Sequence, residues 1–306
     1  MFKTITLLFS ILLFMSCQPK GEDTSVNYSN TPQDSIFEAF WQDGKAEVSV
    51  YQLSQNRYNA IHQGKVVSIF VREDFLTDKQ VKNETYESKS SAPILKNIVR
   101  TNFITGIYDY SLHTSVFTPI NQSRFSTLKV TNTMQEWCGT TFLQMNYKNG
   151  MYFMEQRSYF EKEGDRRVQL EQAVVEDALM NQIRLDYKNL PIGAFNIISK
   201  LSYTALKHKA LKTYKATASL SEYKGEIFEG KDLLEYRYAV AEQKREVTLV
   251  FESVSPYRIV GFTETYPSAF DEQVRTTIGV LLSSERLAYW GMNEPEDTEI
   301  RKKMGL

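Results

Sequence analysis

The chain has 306 residues, and its 36 lysines and arginines face 37 acids, a formal charge of −1 without the basic excess of a nucleic-acid-binding surface. Hydrophobic residues make up 42% and charged residues 24%, ordinary globular usage, and a chain this long buries roughly three quarters of its unfolded surface. Three histidines and two cysteines leave little for metal sites or imidazole chemistry, so neither metal nor cofactor is expected.

Lys3 precedes an apolar run from Ile5 to Met15, followed by small Ser16 and Cys17 and then polar Gln18 to Asp23. This is the pattern of a secretory signal over residues 1–16. About a dozen apolar residues fall short of the ~20 that span a bilayer, so a membrane anchor must come from elsewhere. Cys17 can supply it, because Leu13-Phe14-Met15-Ser16-Cys17 resembles a bacterial lipobox, which implies cleavage before Cys17 and its acylation by palmitate-like chains. The nearby Glu22-Asp23 looks like the acidic export tags of Bacteroidota surface lipoproteins. The resulting expectation is an outer-membrane, lipid-anchored protein facing the periplasm or the cell surface. Residues 17–35 are rich in Ser, Thr, Asn, Asp and Pro and read as a flexible tether. A lipidated Cys17 leaves Cys138 as the single thiol, without an intrachain disulfide.

Period-two segments dominate from Lys45 onward. Lys45–Ser54, Lys65–Val71 and Thr127–Met134 alternate like strands, and Phe142 to Met154 reads as a hairpin whose Asn149-Gly150 suits a type I′ turn. Counting outward from that turn pairs Tyr147 with Tyr152 and Met145 with Met154 on a core face, and Asn146 with Phe153 and Gln144 with Glu155 on a wetter one. Glu171 to Asp186 carries a mixed helical pattern. Leu190-Pro191-Ile192-Gly193 is the best internal boundary. Beyond it, Leu234, Tyr236, Tyr238 and Val240 line one strand face, and Val247, Leu249 and Phe251 line the next after a polar Glu242–Arg245 link. Ile259–Tyr266 gives a third strand, and Val274, Thr276, Ile278, Val280 and Leu282 suggest a fourth. Glu294 to Met304 opens with Pro295 and acids and closes with Arg301, Lys302, Lys303 and Gly305, as a short helix should. The expected fold is mainly β: a large antiparallel meander, barrel-like or sandwich, with few helices and a short C-terminal one. Its β regions are residues 36–190 and 191–306, and no strand–helix rhythm of a dinucleotide-binding fold is present.

Two segments approach known signatures. Gly225–Asp232, GEIFEGKD, lacks the Ser or Thr that a phosphate-binding loop places where Asp232 stands, and it leads into a strand. It reads as a polar connection. Ser253-Val254-Ser255-Pro256-Tyr257-Arg258 resembles the S-x-S-P-R signature of Maf nucleotide pyrophosphatases, interrupted by Tyr257, but those enzymes carry it near their start; a Ser-Pro turn is the simpler reading. Zincin, C-x-x-C, G-x-S-x-G and G-x-G-x-x-G motifs are missing from the sequence. His62, His113 and His208 stand isolated, although Asp109, Ser111 and Ser115 could share a strand face with His113. Glu136-Trp137-Cys138-Gly139 is the densest cluster of rare types. It reads first as a buried Trp and Cys beside a hairpin, then as the wall of a ligand pocket, and last as a thiol nucleophile, because no basic residue adjoins Cys138.

Phe40–Glu47, Ser54-Gln55 with Arg57-Tyr58, Asn102–Tyr108, Gln135–Gly139 and Leu190–Gly193 together resemble a family of Bacteroidota outer-membrane lipoproteins sometimes labelled "septum formation inhibitor Maf". The likeness spans nearly all of the mature chain. It implies a location, and the imperfect SVSPYR segment is all that could justify the label. The leading expectation is a non-catalytic envelope lipoprotein that binds an apolar ligand or a partner envelope protein and reaches the membrane through its lipid anchor. The candidate ligand contacts are Tyr108, His113, Glu136, Trp137 and Cys138. The alternatives are an enzyme, either a Maf-like nucleoside triphosphate pyrophosphatase or another hydrolase, and a structural or assembly subunit of an outer-membrane complex.

Overall fold

The computed structural model describes residues 35–86, 88–121 and 127–306, so the expected secretory signal, Cys17 and the expected tether up to residue 34 lie outside the described residues. A short helix α1 (Ser35–Trp41) leads into β1 (Ala46–Arg57), β2 (Ala60–Leu76), β3 (Val81–Lys82), β4 (Ser91–Thr105), β5 (Tyr108–Pro119), β6 (Lys129–Glu136), β7 (Gly139–Lys148), β8 (Met151–Ser158), β9 (Arg166–Glu171) and β10 (Val174–Val175). A helical insert with α2 (Leu179–Asp186) comes next, then β11 (Gly193–Ile198), α3 (Leu201–Leu206), β12 (Thr213–Glu222), β13 (Leu233–Val240), β14 (Arg245–Glu252), β15 (Ile259–Pro267), β16 (Val274–Leu287) and α4 (Thr298–Lys303).

All sixteen strands form one sheet, antiparallel except for the β10–β11 pair. Consecutive strands pair in sequence order, and β1 joins β16, so the N- and C-terminal β regions are continuous. The outermost strands are β9 and β10, yet only Gln172 and Ala173 separate them, at most about 10 Å of chain. The sheet therefore curls until its edges meet at one point, giving an almost closed barrel. Its upper end carries the turns β1–β2, β4–β5, β6–β7 and β15–β16; α1 enters at the lower end.

Alternation decides which side chains point inward. Met145, Tyr152 and Met154 are buried while Phe153 is 41% exposed, so the Asn149-Gly150 hairpin has the expected register, with φ of 53° and 77° at its two turn residues. Tyr236, Tyr238, Val247, Leu249 and Phe251 form the core of the other half. The apolar set on β16 faces outward instead. Ile278 and Val280 pack beneath Phe228 on the outer surface, while Thr277, Gly279 and Leu281 face the interior. Gly279 is required there, because a Cβ would stand 2.3 Å from the ring of Phe262, which fills the space between the two walls.

The interior is plugged by the insert. Glu171–Asp186, whose sequence carries a mixed helical pattern, divides into the end of β9, the β10 pairing, a 3₁₀ turn (Glu176–Ala178) and α2. The β-branched pair Val174-Val175 explains the break, since it bonds to Ile197-Ile198 instead of continuing a helix. α2 packs against β4 and the walls around β13, and α3 packs against β5, β6 and β7. α4 lies outside, where Met304 covers Val48 and Val50, and its 3₁₀ lead-in carries a Glu294/Asp297 capping box.

Candidate functional site

The upper end gathers four of the five sequence-derived candidates. Tyr108 opens β5 and shares its inward side with buried Tyr110 and Leu112. Glu136 closes β6, and Trp137-Cys138 form the two-residue tip of the β6–β7 hairpin. Both tip residues are exposed, Trp137 by 67%, which corrects the expectation of a buried pair: Glu136 bonds to Gly139 across the ladder and leaves the tip outside it. Trp137 Nε1 donates to Asp109 Oδ1 at 2.9 Å, its ring lies 6.1 Å from that of Tyr108, and Glu136 Oε2 accepts the Cys138 N–H at 2.8 Å. The carboxylate of Glu136 bonds to the Cys138 thiol and pushes its pKa up, the opposite of what a nucleophile needs.

His113 is not part of this group. Its parity sends it, with Asp109, Ser111 and Ser115, to the outer face, where its Nε2 lies 3.3 Å from Ser115 Oγ. Burial, then the charges of Arg100 and Lys96, lower its pKa. Asp109 is committed to Trp137, so the shared face does not assemble an Asp–His–Ser relay.

Two of the four candidates, Glu136 and Cys138, line a pocket of about 270 Å³ together with Arg57, Tyr58, Tyr110, Phe160, Lys207, His208 and Phe270. Arg57 has the inward parity of Tyr51, Leu53 and Gln55 and is 7% exposed. Its Nη1 donates to the Leu206 carbonyl at 2.6 Å and its Nη2 to Tyr110 Oη at 3.0 Å, with the guanidinium 4.4 Å and 5.1 Å from the ring centres of Tyr58 and Tyr110. Tyr58 Oη lies 2.5 Å from Tyr108 Oη and 2.6 Å from Tyr110 Oη, and burial raises the pKa of both Tyr58 and Tyr110. Lys207 Nζ sits 3.9 Å over the ring of Tyr266; burial, then the charge of Arg57, lowers its pKa to about 8. His208 Nδ1 lies 2.5 Å from Glu163 Oε1.

Beneath the mouth, with Leu206 common to both, lies an inner chamber of about 90 Å³. Strands from both ends of the chain enclose it with apolar walls that include Leu53, Val66, Leu112, Val247 and Phe262. Arg245, which the sequence places in a polar link, instead opens β14 pointing inward at the parity of Val247 and Leu249, and it is 3% exposed. It pairs with Glu264 and takes both oxygens of Glu176, with its guanidinium 4.2 Å from the Tyr203 ring centre. Burial alone would raise the pKa of Glu176, but Arg245 outweighs it and holds the carboxyl below the usual range. Asp177 has no such cation bonded to it. Its Oδ2 accepts the Leu201 N–H at 2.9 Å, its Oδ1 has no partner, and burial pushes its pKa to about 7.

A larger concavity, an open groove of about 920 Å³, runs over the outer face between β1, β2, β4 and the C-terminal segment. None of the unpartnered buried polar atoms of the described residues lines it, which makes the mouth the better site. The two near-signatures lie at the lower end. Gly225–Asp232 joins β12 to β13, Ser253 N–H donates to the Asp232 carbonyl, and Arg258 is paired with Glu252. Among the described residues no three His, Cys, Asp or Glu side chains are grouped to hold a metal, and no helix is long and apolar enough to cross a membrane.

Sequence reasoning missed Arg57, Lys207, Glu176, Asp177 and Arg245. For Arg57 and Arg245 a signal existed, a charge at the core-facing parity of a strand. Glu176 and Asp177 sit in the 3₁₀ turn before α2, and Lys207 follows the end of α3, where no such parity applies. Comparison with protein-family models, curated proteins and solved structures finds no match to this chain.

Proposed function

We propose that this is a non-catalytic lipoprotein of the outer membrane, anchored through acylated Cys17, which takes a slender apolar ligand in through the upper mouth of its barrel. The observation that carries the reading is the pair of chambers under the mouth, walled by both halves of the sheet and meeting at Leu206. Ligand sites commonly occupy ~300–1,000 Å³, so the mouth pocket suits a narrow chain instead of a bulky ring system. Exposed apolar side chains on the surrounding turns support it: Ile107 is 84% exposed, Tyr159 76%, Trp137 67% and Phe270 66%.

Native mass spectrometry of the purified protein, with solvent extraction, tests the reading. A co-purifying apolar molecule of defined mass, released when the fold is melted, is the expected result. An empty protein that also fails to take up added alkyl compounds overturns it. The anchor has its own test: a Cys17→Ala variant should leave the outer-membrane fraction, and its retention there would remove lipidation from the proposal.

A further inference from the structure

We infer that the mouth pocket is a receptor for a carboxylate headgroup, with Arg57 and Lys207 as its cationic clamp and the alkyl tail of the same molecule lying along the apolar mouth. The inference rests on the ligand-uptake reading and names the chemistry of what is taken up. Arg57 is 93% removed from solvent, yet among the described residues no carboxylate pairs with it; its partners are a backbone carbonyl and a tyrosine hydroxyl. Its buried Nε has no hydrogen-bond partner among the described residues. A guanidinium carries five donors, and burying one without an anion is costly unless something completes it. Lys207 lines the same pocket, and among the described residues its Nζ lies against the face of the Tyr266 ring without a carboxylate bonded to it. The two cations feel each other, since Arg57 lowers the Lys207 pKa.

The acids nearby are already engaged. Glu163 is bonded to His208, Glu136 holds the Cys138 turn, and Glu264, though near enough to Lys207 to act through space, is paired with Arg245. A carboxylate entering between Arg57 and Lys207 would meet two cations and the hydroxyls of Tyr58 and Tyr110 at the edge of an apolar space. Charge-assisted bonds in such a setting are stronger than neutral ones and match the planar fork of arginine. Phe160, Ala269 and Phe270, with Leu206 below, offer contacts for methylene groups, and the polar Glu136, Cys138, His208 and Ser268 complete the lining.

Isothermal titration of the whole protein with dodecanoate, dodecanol, dodecylamine and acetate tests this. We expect one saturable dodecanoate site, at least tenfold tighter than dodecanol, and no measurable acetate binding at equal concentration. Lys207→Met touches only a ring face and a pocket wall, so it should fold as the parent does by circular dichroism; it should weaken dodecanoate about tenfold and leave dodecanol unchanged. Arg57→Met should abolish the preference for the acid altogether. Equal affinity for dodecanoate and dodecanol, or dodecanoate binding that Lys207→Met leaves intact, overturns the headgroup assignment while uptake of alkyl chains stands. Acetate binding as tight as dodecanoate overturns the amphiphile and leaves a simple anion site. Failure of every alkyl compound to bind removes the uptake reading itself.

Discussion

Arg245 and Arg57 are both nearly buried in the same barrel, and they are finished differently. Arg245 has two carboxylates, a tyrosine face and a glutamine around it, so its charge is matched wherever it can be reached. Arg57 has a carbonyl, a hydroxyl and two ring faces, but no anion. A matched buried charge ties elements together: Arg245 joins β14 and β15 to the insert through Glu264 and Glu176. An unmatched one weakens the fold around it, and such groups concentrate where a protein does something other than hold itself together.

The contrast can be broken by experiment, and the largest effect should come from Arg245→Met. It leaves Glu176 and Glu264 facing each other without a cation, and urea denaturation should show a loss of about 3–5 kcal/mol. Next in size is the pH dependence carried by Asp177. Its folded pKa of about 7 lies above the unfolded ~3.9, so the folded state holds the extra proton, and stability falls as pH rises between those values, by on the order of 4 kcal/mol. Asp177→Asn should flatten that slope, since an amide oxygen can still accept the Leu201 N–H. Glu176 has the opposite sign: its pKa is lowered, so its contribution is present above the unfolded value and lost only as pH falls through the folded one. These two groups together therefore place the stability maximum at pH ~4, and an unchanged slope in Asp177→Asn would move the cause elsewhere.

Arg57→Met should cost less than about 2 kcal/mol, because removing an unmatched buried charge offsets much of the two lost hydrogen bonds. A loss as large as that of Arg245→Met would mean that the two arginines play the same structural part. Trp137→Ser, at an exposed hairpin tip, should lie within about 0.5 kcal/mol of the parent. Smallest of all, Glu136→Gln should leave stability alone and speed alkylation of Cys138 by iodoacetamide several-fold near pH 8, as the thiol loses the carboxylate that raises its pKa.

Local chemistry carried much of the fold in legible form. Asn149-Gly150 set its hairpin, and alternation around Tyr236 and Val247 identified core-facing strand positions, because a pleated strand sends neighbours to opposite sides and only one side of these is greasy. Four of the five candidate residues do meet at one end of the barrel. What misled was local evidence read without its neighbours: Trp137 and Cys138 look like core residues by type, but their place at a tip exposes them, and the apolar parity of β16 faces out because Gly279 is needed within.

By itself the sequence determined the alternating strands, their turns, the C-terminal helix and the small supply of metal and imidazole ligands, since all of these depend on residues within a few positions of one another. The tertiary structure alone decided that β1 would meet β16, that a two-residue link would bring the sheet's edges together, and that Arg245 would find Glu176 sixty-nine residues away while Arg57 would find no acid. Those outcomes depend on how the curled sheet closes around its helical plug, and a buried charge is matched or unmatched only by what that closure places beside it.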